Sequence, residues 1–194
     1  MVSSNSSNPL GFAMPILEYH DITYIKNDPF AMSPTQFASE MDFLKARGFH
    51  AVTLDQVYAA MTGHAKLPRR PVVITFESHT VDHPHLTQLN PAQLWREVAQ
   101  SKETLSKDFG RPVLFFCYPY GDYNNRVIRA VKQAGYLLAT TTNEGYADPM
   151  VDGPYCLRRI AIHQGLSLRR FAALLHTSLP SSAVLGPSFA RASA

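Results

Sequence analysis

The chain has 194 residues, 45% hydrophobic and 17% charged, with a formal net charge of +3. That is enough apolar sequence to bury one core and too much for a disordered chain. No apolar run approaches the ~18 residues of a membrane span. Two cysteines, Cys117 and Cys156, exclude a disulfide framework and leave open whether the two pair. The basic residues are scattered apart from the doublets Arg69–Arg70, Arg158–Arg159 and Arg169–Arg170, which argues against a nucleic-acid surface.

Met1–Gly11 is uncharged and rich in Ser and Asn, without the basic start and apolar core of a signal peptide. It is expected to be a flexible leader, and residues 178–194 a frayed tail. Between them, residues 12–177 are expected to form a single domain. Pro15–Tyr19 (PILEY) predicts a strand. Ser33–Pro34 pairs an N-cap with a proline at the first helical position, and Phe37, Met41 and Leu44 recur at helical spacing until Gly48. A short strand near His50–Thr53 and a helix near Leu54–Met61 follow. The β-rich run Pro71–Phe76 (PVVITF) predicts a strand buried on both faces.

Asn90–Pro91 opens a second capped helix, with Leu94, Val98 and Leu105 inward and Gly110 at its end. Pro112–Cys117 predicts another buried strand, Asn125–Ala134 a helix, and Tyr136–Thr141 and Cys156–Ile162 two more strands. Ser167–Leu175 predicts a last helix. The alternation of strands and helices predicts an α/β layer or barrel.

Three segments carry candidate chemistry. Ser78–His85 (SHTVDHPH) directly follows the Pro71–Phe76 strand. His79 and His83, four apart, would share one side of a helical turn and suit a divalent metal. Asp82 and His85 are placed to support them or add a ligand. The incidental reading of such a pair has about even weight, and its place at a strand's C-terminal end favours the metal. Phe116–Asn124 (FCYPYGDYN) is a strand end turning into a Pro/Gly loop. Its backbone N–H groups suit an oxyanion and its tyrosines suit a sugar ring, although taken alone the segment is better explained as an aromatic-packed tight turn. Tyr19-His20-Asp21 sets a histidine beside a carboxylate at the first strand's end. His163 is expected to pack in the core, and His50, His64 and His176 at the surface.

In this order and context the three segments resemble the polysaccharide deacetylases of carbohydrate esterase family 4, with the NodB-type domain. The resemblance spans about Pro15 to Leu175 and is greatest to the branch acting on poly-β-1,6-N-acetylglucosamine. PVVITF resembles the strand before the family's TFDD motif, SHTVDHPHLT its histidine motif and FCYPYGDYN its third motif. YLLATTTNEG and YCLRRIAI are similar to its later strands.

The resemblance implies a distorted, incomplete (β/α) barrel of the polysaccharide deacetylase type. It implies a metal-dependent hydrolase that removes N-acetyl groups from N-acetylglucosamine-containing polysaccharide, outside the cytoplasm or in the cell envelope. His79 and His83 match the metal ligands, with zinc the expected metal and cobalt or nickel the alternatives. Tyr120 matches the oxyanion-hole residue and His20 the histidine that protonates the leaving amine. Tyr118, Pro119 and Tyr123 are expected to bind substrate, and Cys117 stands where many relatives have Arg.

The departure lies after Thr75-Phe76, where the family continues Asp-Asp-Gly and about two β/α units before its histidines. Here Glu77 follows at once. It stands at the catalytic base's position or belongs to the downstream side of the junction. The metal-binding Asp has no counterpart, leaving Glu77 or Asp82 as substitutes. The Pro71–Phe76 strand is expected to occupy the lost strand's place. The alternative function is a catalytically inactive glycan-binding relative using Tyr118, Tyr120 and Tyr123.

Overall fold

The computed structural model describes residues 13–19, 21–23, 31–74 and 77–176. The expected leader, the expected tail and His20 lie outside them. The elements are β1 (Ile16–Glu18), β2 (Asp21–Ile22), β3 (Ala31–Met32), α1 (Pro34–Ala46), β4 (His50–Val52), α2 (Leu54–Met61) and β5 (Pro71–Ile74). One rod then holds α3 (Pro91–Trp95), a π-helical stretch (Arg96–Gln100) and α4 (Ser101–Asp108). It leads to β6 (Phe115–Cys117), α5 (Asn125–Gln133), β7 (Leu138–Glu144), α6 (Pro149–Asp152), β8 (Leu157–Ala161) and α7 (Leu168–Leu174).

Side chains start the helices. Ser33, Asn90 and Ser167 each accept a backbone N–H inside the first turn of α1, α3 and α7. Thr53–Gln56 closes a capping box on α2, and Asn124 caps α5 through Arg126 N and Val127 N. The helix expected from Asn90 to Gly110 is interrupted by the π-helical turn, which hydrophobic spacing does not reveal.

Six strands form one parallel sheet in the order β4-β5-β1-β8-β7-β6. Beyond β6 the sheet gains one more residue. Ser78 N donates to the Phe115 carbonyl at 3.1 Å and Cys117 N to the Ser78 carbonyl at 2.8 Å. Ile74 to Ser78 is four residue steps, a reach of about 14 Å at most. Laid flat, the five intervening strand spacings would need about 24 Å. The short connection therefore requires the sheet to curl into a half-barrel.

This corrects one expectation. Pro71–Ile74 keeps its own place between β4 and β1. Ser78 stands where a further strand would begin.

Helices cover the outside of the curl. On one side α1 and α7 bury Phe43, Leu44, Phe171 and Ala172 against Leu17, Val72 and Ile160. Complete burial of Phe43 and Phe171 contributes on the order of 2–3 kcal/mol each. That exceeds the ~1 kcal/mol of their edge-to-face contact, so apolar burial holds α7 in place. On the other side, Leu94, Val98, Val127 and Val131 pack on Phe116 and Ala139. A third cluster joins Ile16, Val73, Leu138 and Leu157, with α2 supplying Leu54 and Val57.

Candidate active site

Side chains alternate along a strand. Ile16, Leu138, Leu157 and Phe115 share the third apolar cluster with Val73. Two residues further on, at the C-terminal ends of the same strands, stand Glu18, Thr140, Arg159 and Cys117. The inside of the curl is therefore apolar below and polar above, at the end where parallel α/β sheets carry their sites. Arg159 is buried, with Nη2 2.9 Å from Glu18 Oε1 and Nε donating to the Thr141 carbonyl at 2.8 Å.

Glu77 enters the same layer. The Thr140 hydroxyl donates to its Oε2 at 2.6 Å, while Oε1 is shielded from solvent and meets no donor among the described residues. Burial pushes the Glu77 carboxyl up to about 7, against the opposing pull of Arg159 and the Thr140 hydrogen bond. Burial likewise pushes the Cys117 thiol up to about 12, so it stays protonated and unreactive.

The histidine segment is a loop, where a helical turn was expected. Thr80 and His83 have φ of 72° and 54°. The Thr80 hydroxyl accepts from His83 N at 3.0 Å. Glu97 Oε2 accepts from Val81 N and Asp82 N at 3.0 and 2.9 Å. The result still brings the rings together, with His79 Nε2 and His83 Nε2 2.8 Å apart. His79 Nδ1 lies 2.8 Å from the Cys117 carbonyl. A carbonyl only accepts, so Nδ1 carries the proton and the neutral ring turns its Nε2 lone pair towards His83.

Tyr120 completes the mouth. Its φ of 56° is left-handed and its ring is 58% exposed. The ring meets His83 edge-on at 4.5 Å and stacks on His85 at 4.3 Å. Asp122 anchors the loop by accepting from Thr87 N and the Thr87 hydroxyl. Gly121, at φ 64°, is required, because a Cβ there would stand 1.9 Å from Thr142 Oγ1 on β7.

A tetrahedral cation at ~2.0–2.1 Å from each nitrogen would hold two nitrogens about 3.3 Å apart. The rings need to separate by only about half an ångström, and the His79 Nδ1 bond to a carbonyl is the usual outer support of a ligating imidazole. The pair thus fits two positions of a cation. Among the described residues no group of three His, Cys, Asp or Glu converges to complete the set.

Comparisons with known proteins bear on this arrangement. Residues 55–139 match the polysaccharide deacetylase family profile. That match takes in less than half of the chain. The chain is 35% identical over 104 residues to YxkH of Bacillus subtilis, a polysaccharide deacetylase by name. That match takes in 54% of this chain and 37% of the relative, so the chain spans well under half of that protein's length. The Streptococcus pyogenes deacetylase PplD, solved in complex with acetate, superposes with a TM-score of 0.73 at 24% identity, over 87% of this chain and 99% of that one. IcaB from Ammonifex degensii gives 0.68 at 18% identity, over 86% and 97%. At these identities the solved structures establish the shared fold, the incomplete barrel expected from the sequence.

Within this fold the expected site residues divide. His79, His83 and Tyr120 come together, and Glu77 lies in the polar layer of the curl. Tyr118 and Pro119 are corrected: both are buried, Tyr118 completely, within the cluster of Phe116 and Tyr136, and offer no ring face to a sugar. Tyr123 is half-buried and stacks on Tyr118 at 5.0 Å. Asp82 turns away to Arg96 at 2.8 Å and joins neither histidine. His163 is exposed, where core packing was expected.

Four residues of the site escaped the sequence reading: Glu18, Thr140, Arg159 and Glu97. The first three carried a signal. Each lies two positions beyond an apolar residue of its strand, in Ile-Leu-Glu, Leu-Ala-Thr and Leu-Arg-Arg.

Proposed function

We propose that this protein is a metal-dependent deacetylase acting on N-acetylglucosamine-containing polysaccharide, outside the cytoplasm or in the cell envelope. The observation that carries the reading is the convergence of His79 Nε2 and His83 Nε2 to 2.8 Å beside Tyr120. His79 and His83 would hold the cation, with zinc the first choice and cobalt or nickel next. Bound there, a divalent ion supplies Lewis acidity to an acetamide carbonyl and to a water.

The chain's own groups supply the rest. Cys117 O fixes the His79 tautomer, so that the Nε2 lone pair on the His83 side is the one that would ligate. Glu77 is the proton acceptor: its Oε1 meets no donor among the described residues, and a carboxyl near 7 both takes and returns a proton at neutral pH. Arg159 stabilises its charged form. The Tyr120 N–H faces the developing oxyanion, in a loop that Gly121 seats against Thr142. The exposed Tyr120 ring supplies an apolar face for a sugar. His20, outside the described residues, is the proposed donor to the leaving amine.

The test is release of free amine from N-acetylglucosamine oligomers with zinc, cobalt or nickel, with and without chelator. Turnover that chelator removes supports the reading, and His79→Ala and His83→Ala should each abolish metal uptake. His20→Ala should slow turnover while sparing metal. No turnover with any of the three metals would overturn the enzyme. The missing third ligand among the described residues favours a second reading, an inactive glycan-binding relative. Calorimetric binding of the oligomers without turnover would select it.

A further inference from the structure

The histidine loop leans on the one irregular turn of the helical rod behind it. A π-helical turn widens the helix by one residue and redirects the side chains and carbonyls around it. Here the turn spans Arg96–Gln100, meeting the far end of the loop directly and the near end through two hydroxyls. At the far end Glu97, 3% exposed, gathers two successive amides, Val81 N and Asp82 N, on its single oxygen Oε2. Its other oxygen pairs with Arg96 Nη1 at 2.9 Å, and Arg96 Nη2 reaches Asp82 at 2.8 Å.

At the near end the Val98 carbonyl lies 3.1 Å from the Ser101 hydroxyl and 3.2 Å from the Tyr136 hydroxyl. Both hydroxyls also contact Ser78 Oγ, Tyr136 at 2.9 Å and Ser101 at 3.0 Å. Ser78 immediately precedes His79, and Val81–Asp82 immediately precede His83. The backbone before His83 is thus held directly by the turn through Glu97, and the side chain before His79 is linked to it through the Ser101 and Tyr136 hydroxyls.

We propose that the π-helical turn Arg96–Gln100 is a clamp on the histidine loop, and that Glu97 is a positioning residue for the His79–His83 pair. The proposal rests on the reading of that pair as the reactive centre. Glu97 touches neither ring. It acts by holding the Val81–Asp82 backbone, from which His83 leaves at positive φ. A carboxylate is needed because one group must accept two amides and a guanidinium together. Glutamine keeps one accepting oxygen and so keeps the amides at the cost of Arg96.

The experiment compares the full-length wild type with Glu97→Ala and Glu97→Gln by three readouts. Amide exchange at Val81 and Asp82 and long-range 15N–1H spectra of the imidazoles are taken on the metal-free chain. Cobalt affinity is taken by titration, with the visible spectrum of the bound ion. In Glu97→Ala we expect the two amides to lose protection, the His83 ring signals to move while His79 keeps its Nδ1–H form, and cobalt affinity to fall about 10-fold. Glu97→Gln should restore most of the amide protection and the His83 signals. Wild-type amide exchange, ring signals and cobalt affinity in a folded Glu97→Ala protein would overturn the proposal.

If Glu97→Ala does not fold, Glu97→Gln decides. A cobalt affinity lowered by less than the ~10-fold outer-support effect, with Val81 and Asp82 still protected, supports the clamp. Loss of their protection despite the retained amide oxygen overturns it. Absence of cobalt binding by the wild type would count against the metal reading alone, since amide exchange and the ring spectra test the clamp on the metal-free chain.

Discussion

Two polar networks flank the end of β1, one outside the curled sheet and one inside. Outside, Tyr19 turns to α1, where its hydroxyl donates to Glu40 Oε2 at 2.9 Å and Gln36 Nε2 donates to Oε1 at 3.0 Å. Gln36 goes on to donate to the His163 carbonyl and to accept from Gly165 N, fastening α1 to the loop before α7. Inside, Glu18 turns to Arg159, and Glu77 shares their layer with only one of its oxygens bonded. The two glutamates Glu40 and Glu77 are chemically alike, and burial raises the carboxyls of both. They differ in satisfaction. A carboxyl with both oxygens answered serves the fold, and one with an oxygen unanswered remains available to a proton or a substrate.

Substitution should separate the two carboxyls by which property is lost. Glu77→Gln removes the proton acceptor while keeping the shape and the Thr140 contact. It should lower kcat by 10²-fold or more with Tm held or raised, checked by amine release and calorimetry. Unimpaired turnover would move the base elsewhere. Glu40→Ala strands the Tyr19 hydroxyl without its acceptor and takes one of the acceptors of Gln36. It should cost about 2–3 kcal/mol, roughly 5–10 °C in Tm, with turnover per folded molecule unchanged.

The outer network should also write itself into the pH dependence of stability. The native Glu40 holds its proton to higher pH than the unfolded chain does, so unfolding releases a proton over that interval. Its contribution to stability is whole below the ordinary carboxylate value of 4.5 and declines as pH rises through the raised native value. Denaturant titrations of Glu40→Gln should lack that decline. The smallest effect concerns the thiols. Cys117, buried at 5% exposure and pushed up to about 12, should resist iodoacetamide at about pH 8 while the half-buried Cys156 reacts first. Equal labelling would mean the inner layer opens more readily than the outer.

The legible part of the fold was local. Ser33-Pro34 and Asn90-Pro91 announced their helices, Gly48, Gly110 and Gly135 their ends, and PVVI and FFC their strands, because caps, φ restrictions and β-branching act within a few residues. The π-helical turn was invisible, since it follows from what Glu97 and Val98 meet across the loop. At the site, the 79/83 spacing pointed to two rings that do approach one another, for a different reason from the one that operates. The rings converge through a turn with two left-handed residues, not along a helix face. Tyr118 misled because an aromatic run looks the same whether a residue faces a cleft or the core, and only the register of β6 against β7 decides.

The sequence by itself determined the succession of strands and helices, the placing of two histidines four apart at a strand's end, and the junction that puts Glu77 directly before them. Those features need only neighbours along the chain. The tertiary structure alone decided that four linking steps bend six strands into a half-barrel. It also decided that Glu18, Thr140, Arg159 and Glu77 meet in one layer, and that one oxygen of Glu77 is left without a donor. Such properties depend on which residues oppose one another across the curl, a relation between strands far apart in the chain that no local spacing encodes.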